Sequence, residues 1–228
     1  MGSRCNPIFL LSFGLSDYAP HQYFPHMFRK KIRDLPLLTS RFQDALTYAS
    51  RIHAAQVRKG TRIPYLSHLL GVASLVLEAG GDEDQAIAAL LHDALEDQPR
   101  GGKTAKEIHR KFGSRVLEIV VACTDAMTHP KRPWIERKRE YVARARTHSP
   151  DARLVSLADK LHNTRAILAD HRRIGDKVWD RFAANRDEVL WYYRSLADVY
   201  SETGDGAGLL GELKIVVGEL ERTAGNSS

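Results

Sequence analysis

The residues best suited to chemistry lie in the stretch 88–97. An apolar run ends there in the adjacent pair His92 and Asp93, and a second acidic pair, Glu96 and Asp97, follows within one helical turn. Burying an imidazole and three carboxylates among leucines is costly unless something neutralises their charge, and a divalent cation would do so. A helix end with solvated acids explains the same stretch about equally well, so other parts of the chain must decide between the two.

Two more positions could complete a metal site. His68 begins a predicted helix shortly after Pro64, and Asp159 is the acid in the otherwise apolar start of the segment 156–163. Together with His92 and Asp93 they make a mixed nitrogen and oxygen set, which suits Mn²⁺, Fe²⁺ or Zn²⁺ and argues against calcium. Four ligands from three helices leave positions open for water and substrate, as a catalytic metal needs. Taken singly, His68 could be a helix cap.

Asp159 also has an ordinary alternative, which is an ion pair with Lys160 or Arg165. Asn163 lies four residues after Asp159 and is therefore predicted to share its helix face. Spacing likewise predicts that Glu96 and Asp97 project near the His92–Asp93 pair, where a carboxylate can orient a metal-bound water or accept its proton. Acids at a helix end are common, so this acidic pair is not specific by itself.

A basic cluster precedes His68. Arg58, Lys59 and Arg62 surround a short loop, and three cations there would suit a polyphosphate or a nucleotide. A solvated loop is the more common explanation of such a cluster. The overall net charge of +6 and the pI near 9.4 favour an anionic partner: nucleic acid, a membrane surface or a phosphate-rich small molecule. Because the 34 basic residues are interleaved with 28 acidic ones, we expect a basic pocket rather than a nucleic-acid-binding arm.

The cysteines and the hydropathy pattern exclude several classes of protein. Two cysteines without a Cys-x-x-Cys motif exclude a zinc ribbon and make a disulfide scaffold improbable, so we expect a cytoplasmic protein. No stretch approaches the roughly 20 apolar residues of a membrane-spanning helix. We therefore expect no membrane partner. The sequence leaves the oligomeric state open.

The periodicity of apolar residues predicts an all-α fold, a compact multi-helix bundle. Ser40 with Gln43, Asp82 with Gln85 and Thr104 with Glu107 have the spacing of capping boxes, and Pro150 suits the first position of a helix. The predicted helices cover about residues 40–57, 68–79, 83–95, 104–112, 115–126, 135–146, 150–169, 177–200 and 209–220. We expect an irregular N-terminal extension over residues 1–36, which contain four prolines, a domain over 37–203, and a C-terminal helix and tail over 204–228 that packs on or flanks it.

Five runs of the chain resemble the HD superfamily of metal-dependent phosphohydrolases. Within it they are similar to the alarmone hydrolase domain of Rel/Spo-type (p)ppGpp enzymes and to their stand-alone small relatives, so the domain over 37–203 is expected to be an HD-type phosphohydrolase domain. The resemblance covers about residues 40–200. The pair His92–Asp93 alone is a weak signal, but together with Glu96–Asp97 and the downstream run 158–163 it is strong. The matching runs are residues 53–59, 64–68, 89–97, 112–113 and 157–165.

The resemblance implies a reaction and the residues that carry it out. It implies removal of the 3′-pyrophosphate from (p)ppGpp to give GDP or GTP and pyrophosphate. It implies a metal, usually Mn²⁺, that is held by His68, His92, Asp93 and Asp159, and it gives Glu96 and Asp97 the water-activating role. The implied contacts to the anionic nucleotide substrate come from Arg58, which lies against the base, and from Lys59, Asn163 and Arg165.

The chain departs from the family pattern at three places. Leu69 stands where the family usually has proline, the loop after Lys59 is one residue longer, and Ala166 stands where a hydroxyl residue often helps to bind the base. The last change leaves ppApp, or a phosphorylated dinucleotide such as NADPH, as alternative substrates of the same site. A nucleotide-sensing module that does not hydrolyse is an alternative of another class, although the complete ligand set argues against it. A nucleic-acid-binding role is less favoured still.

Overall fold

The polypeptide forms helices joined by short connections, and the described ranges 38–97, 101–126, 130–203 and 208–225 contain no strand. The structure is a computed structural model. Within those ranges the only β-bridge is an isolated antiparallel one between Val57 and Pro64. The predicted all-α fold is thus confirmed. The helices are α1 Ser40–Ile52, α2 Leu66–Glu78, α3 Glu83–Leu91, α4 Ala94–Asp97, α5 Gly101–Phe112, α6 Ser114–Cys123, α7 Trp134–Ala145, α8 Pro150–Ile174, α9 Arg186–Glu202 and α10 Leu209–Gly225.

Helix α3 occupies the centre of the core. It packs against α1, α2, α6 and α8, and every residue from Ala86 to Leu91 has no exposed surface. A helix that is apolar all round is the kind that is buried on all sides. Its start is fixed by the predicted capping box, in which Asp82 accepts a hydrogen bond from the Gln85 backbone and the Gln85 side chain bonds back.

The end of α3 differs from the prediction in a way that matters for function. The sequence predicts one helix from Glu83 to Leu95, but α3 ends at Leu91, and His92 and Asp93 form a turn before the short helix α4. His92 still has helical backbone angles, with φ of −58° and ψ of −29°, so the pair lies at the end of α3 and not in the interior of a longer helix.

Helix α8 is the longest element and borders both the core and the surface. Ser149 caps it by accepting from the Ala152 backbone, Pro150 is its first residue as predicted, and it continues to Ile174 rather than to residue 169. Gly175 caps its end, with a φ of 62° that favours glycine. Its inner faces contact α2, α3 and α6, and α10 packs along another face.

Other helix boundaries also differ from the prediction. Helix α1 ends at Ile52 instead of Val57, and its cap is Thr39 rather than Ser40. Thr104 lies inside α5 and does not cap it, because that helix already begins at Gly101. The predicted helix 177–200 is replaced by a 3-10 helix, Gly175–Arg181, and by α9, which starts at a capping box of Asn185 and Glu188 that the sequence analysis missed.

The described residues all belong to one compact unit, Pro36–Ser228. Helix α10 lies against α8 and α9, but the division of the chain after residues 36 and 203 stays a prediction. The predicted irregular extension over residues 1–36 lies outside the described residues. None of the described helices combines the length and the apolar character that crossing a membrane requires.

Candidate active site

Three buried side chains from three parts of the fold converge on one point. His68 comes from α2, His92 from the turn after α3, and Asp159 from α8. The Nε2 atoms of the two histidines are 3.3 Å apart, and Asp159 Oδ1 lies 3.3 Å from His68 Nε2 and 3.6 Å from His92 Nε2. All three atoms lie within 4.8 Å of one another, a grouping that could hold a metal ion.

Asp93 closes this cluster on its more open side. Its Oδ2 lies 3.0 Å from His92 Nε2 and 3.8 Å from His68 Nε2, and it accepts a hydrogen bond from the Tyr65 hydroxyl. The Asp93 side chain is 20% exposed, whereas the two histidine side chains are 1% exposed. The structure therefore brings together the four residues that the resemblance names as metal ligands.

The outer nitrogens of the two histidines are also occupied. His92 Nδ1 lies 2.8 Å from the Ala89 carbonyl oxygen, to which it can only donate. In the neutral imidazole the lone pair is therefore on Nε2, which faces the cluster. His68 Nδ1 lies 2.9 Å from Nδ1 of His162. Two inward imidazole nitrogens and two carboxylates are a donor set that fits a divalent transition metal.

Burial and mutual charge set the protonation of this cluster. Burial lowers the pKa of His68 below its usual value. Burial also opposes charging of His92, but the nearby Asp93 and Asp159 carboxylates outweigh it and raise the pKa of His92 well above the usual value. For Asp159, burial is outweighed by Lys160 and by both histidines, which hold its pKa well below the usual value. The Asp159 carboxylate is thus anionic at neutral pH, and Lys160 and a protonated His92 balance its charge.

The two oxygens of Asp159 have different partners. Oδ2 accepts from the Lys160 ammonium, while Oδ1 faces the histidines and accepts from Asn163 Nδ2 at 2.5 Å. The ammonium of Lys160 in turn lies 4.8 Å from the centre of the Tyr141 ring and 5.9 Å from that of Tyr192. The ion pair with Lys160, considered as an alternative to metal binding, therefore coexists with the cluster instead of replacing it.

A cavity of about 430 Å³ opens beside the cluster. Asp93 and Asp159 lie on its wall, and the rest of the wall combines cationic and aromatic side chains. Both types suit a nucleotide, since cations bind phosphate and rings stack on a base. The cationic wall residues are Arg58, Lys59, Lys138, Lys160 and Arg181, and the aromatic ones include Tyr65, Trp134, Phe182, Tyr192 and Tyr193.

The loop before His68 contributes Arg58 and Lys59 to this wall. The Val57–Pro64 bridge and a hydrogen bond from the Arg58 backbone to the Ile63 carbonyl at 2.8 Å shape the loop. The Arg58 guanidinium donates to Asn163 Oδ1 at 2.7 Å and lies 5.9 Å from the centre of the Tyr65 ring. Asn163 therefore links this loop to Asp159.

Glu96 also lines the cavity. Its carboxylate accepts from Lys131 Nζ at 2.8 Å and from the Asp125 backbone at 3.4 Å. Asp97 is the last residue of α4, but its side chain is not among those the structure describes. The water-activating role of Asp97 therefore stays a prediction.

Arg165 is the predicted site residue that the structure places elsewhere. It is six residues beyond Asp159, which puts it about 240° further around α8 at roughly 100° per residue. There it forms an ion pair with Glu212 of α10, and both side chains are about half exposed. Because Arg165 points toward α10 and does not line the cavity beside the cluster, its assignment to the substrate is corrected.

Several residues of the site were missed in the sequence. Tyr65 could have been found, since it precedes the predicted ligand His68 by three residues, about one helical turn. His162 lies inside the recognised run 157–165 but was given no role. No sequence pattern distinguishes Lys138 from the other cations of the charged segment 135–146. In the structure its ammonium donates a hydrogen bond to Asp125 at 2.9 Å and lies 4.8 Å from the centre of the Tyr192 ring.

Comparisons of the sequence with protein-family models and with characterised proteins point to the same family. The model of the HD domain family matches residues 45–190. The guanosine-3′,5′-bis(diphosphate) 3′-pyrophosphohydrolase MESH1 of Xenopus tropicalis is 36% identical over 181 residues, which cover 78% of this chain and 89% of that protein. The human protein of the same name is 42% identical over 127 residues, covering 54% of this chain and 68% of the relative.

Two solved structures share the fold of this chain. The structure of a metazoan ortholog of SpoT that hydrolyses ppGpp aligns with a TM-score of 0.66 at 28% identity, covering 80% of this chain and 97% of the other. A structure from Listeria monocytogenes aligns with a TM-score of 0.57 at 29% identity, covering 66% of this chain and 96% of the other. The resemblance read from the sequence is thereby confirmed.

Proposed function

The chain belongs to the HD domain family, and we propose that it is a metal-dependent hydrolase that removes the 3′-pyrophosphate from (p)ppGpp. The observation that carries this proposal is the buried cluster of His68, His92, Asp93 and Asp159, which opens into a cavity lined with cations and aromatic rings. Relatives that share most of their length with this chain carry the name of that activity.

In the proposed reaction a water oxygen attacks phosphorus of the 3′-diphosphate, and the bond from that phosphorus to the 3′ oxygen breaks. The 3′ oxygen takes up a proton, and pyrophosphate leaves with GDP or GTP as the other product. When bound, a divalent cation, proposed to be Mn²⁺, supplies positive charge that polarises phosphate and acidifies water. The four cluster residues would hold it, because imidazole nitrogens and carboxylate oxygens that face one point fit that task.

Other residues have proposed roles that do not involve holding the metal. Glu96 is proposed to accept the proton of the attacking water, and Asp97 is proposed to share this water-activating role. Lys131 orients the Glu96 carboxylate through their 2.8 Å contact. Arg58 and Lys59 are proposed to bind the anionic nucleotide, and Asn163 keeps Arg58 in place through its side-chain oxygen.

A second substrate is supported by one observation. Ala166 lines the cavity and offers no hydroxyl for a guanine-specific contact, so ppApp or NADPH could be accepted by the same machinery. The cavity volume of about 430 Å³ lies within the range of about 300–1,000 Å³ that small-molecule sites occupy.

The test is a turnover assay of the purified protein with Mn²⁺ on ppGpp, ppApp and NADPH, with products separated by ion-exchange chromatography. GDP and pyrophosphate from ppGpp are expected, and His92→Ala is the matched inactive control. Cleavage of ppApp or NADPH alone would keep the metal chemistry and replace the substrate. Absence of cleavage of all three substrates, with tight nucleotide binding, would overturn the proposed enzymatic function in favour of a sensing module.

The cytoplasmic location expected from the cysteine content stays a prediction.

A further inference from the structure

We propose that His162 and Gly71 form a matched pair that positions His68 for metal binding. Neither residue belongs to the ligand set, and the pair acts through the side of His68 that faces away from the cluster. The inference rests on the metal site proposed above but not on the identity of the substrate.

The first observation is the contact between the two imidazoles. Nδ1 of His68 lies 2.9 Å from Nδ1 of His162, so one of these nitrogens carries a proton and the other accepts it. To bind a metal through Nε2, His68 must leave that atom without a proton. The shared proton then belongs to Nδ1 of His68, and His162 is the acceptor.

The second observation is the absence of a side chain at Gly71. Gly71 lies in the interior of α2 and its φ is not positive, so its backbone conformation does not call for glycine. Glycine there costs about 1 kcal/mol relative to alanine. A Cβ at this position would lie 2.3 Å from both Cδ2 and Nε2 of the His162 ring, an impossible contact, so the imidazole occupies the space that the missing side chain leaves.

These two observations join α2 to α8 at the metal site. The ring centres of His68 and His162 are 4.8 Å apart, and the position of the His162 ring is limited by Gly71 on one side and by His68 on the other. The other histidine ligand, His92, is fixed in the equivalent way by the Ala89 carbonyl oxygen. Outer partners of this kind fix the tautomer and orientation of metal-bound histidines.

Since His162 also lines the cavity, a direct contact with substrate is the competing role. Metal affinity measured without substrate separates the two roles. The Mn²⁺ dissociation constant can be measured by electron paramagnetic resonance, which reports free Mn²⁺ independently of turnover. Histidine tautomers can be read from long-range ¹H–¹⁵N spectra of the metal-free protein.

The variants are chosen in pairs. His162→Phe keeps a ring but removes the acceptor, whereas His162→Gln offers an amide oxygen as a replacement acceptor. We expect the first to weaken Mn²⁺ binding about 10-fold or more, within the range for lost outer partners, and the second to recover much of that loss. In the His162→Phe spectrum, His68 should lose its preference for the Nδ1–H tautomer.

Gly71→Ala should also weaken Mn²⁺ binding, although alanine favours a helix. Gly218→Ala is the matched control, because Gly218 lies inside α10 and an added Cβ there would have no neighbour within 4 Å apart from the local backbone of that helix. It should leave Mn²⁺ affinity unchanged. In a His162→Ala background the Gly71→Ala change should add little, since coupled sites are not additive.

Two results would overturn the inference. One is a His162→Phe protein with wild-type Mn²⁺ affinity and an unchanged His68 tautomer, and the other is a Gly71→Ala loss that persists in full in the His162→Ala background. A Gly71→Ala protein that fails to fold would leave the decision to His162→Phe and His162→Gln. Failure of the wild-type protein to bind Mn²⁺ would instead overturn the proposed metal site itself.

Discussion

Replacing Lys160 by methionine should strongly destabilise the protein when no divalent cation is bound. Lys160 and Asp159 form an ion pair whose side chains are 9% and 8% exposed. Removing one partner of a buried pair leaves an uncompensated charge and typically costs about 3–5 kcal/mol. Asp159 keeps its contacts with Asn163 and the two histidines, and methionine preserves the packing of the lysine stem, so we expect about 3 kcal/mol, the lower end of that range.

The assay is urea unfolding, followed by circular dichroism, with and without Mn²⁺. With a slope of about 2 kcal/mol per molar urea, the midpoint of Lys160→Met should fall by about 1.5 M without metal. Saturating Mn²⁺ should narrow the gap to wild type, because the cation supplies positive charge beside Asp159. Lys214→Met, at an exposed position in α10, is the control. A Lys160→Met midpoint equal to that of the control would refute the argument that the Asp159 charge needs Lys160.

Three more predictions concern pH, catalysis and substrate binding. Burial lowers the pKa of His148 to about 4. Between pH 7 and pH 5 this histidine becomes protonated in the unfolded chain but stays neutral in the folded protein. The difference lowers the free energy of unfolding by about 2 kcal/mol over that range. Between pH 7 and pH 5 the free energy of unfolding of His148→Phe, measured by urea unfolding, should therefore fall by about 2 kcal/mol less than that of the wild type. An equal fall in the two proteins would contradict the burial argument. Glu96→Gln should keep Mn²⁺ bound and lower kcat about 100-fold or more; loss of Mn²⁺ in equilibrium dialysis would make Glu96 a ligand instead. Arg58→Ala should raise KM for ppGpp about 10-fold or more, since a charged hydrogen bond is worth about 1.5–3 kcal/mol, whereas Arg165→Ala should leave it unchanged; equal effects in steady-state kinetics would restore Arg165 to the site.

The sequence was sufficient where local chemistry decides the structure. The capping box of Asp82 and Gln85 and the helix start at Ser149–Pro150 were predicted because the signals lie within three residues of each other. The candidate ligands could be selected because imidazoles and carboxylates are conspicuous next to apolar runs. Their convergence depends on packing between α2, α3 and α8, which no local pattern contains.

The errors have physical causes of the same kind. The apolar period continues through residue 95, so nothing in the pattern shows that the helix breaks at His92 and Asp93. Arg165 was assigned by membership in a matching run, whereas its position around α8 directs it to Glu212. The contact between His68 and His162 joins residues that are 94 positions apart. It could not be predicted without knowing that α2 packs against α8.

The spread of the ligands along the chain has a consequence for how the protein is made. His68, His92 and Asp93 precede Asp159 by tens of residues, and α8 must dock before its carboxylate reaches the histidines. At a synthesis rate of about 5–20 residues per second, a nascent chain spends roughly 3 to 13 seconds with its histidines present and the last ligand absent. The complete set of four proposed ligands therefore exists only after α8 has been made and has docked. Docking of one late helix thus completes the proposed metal site.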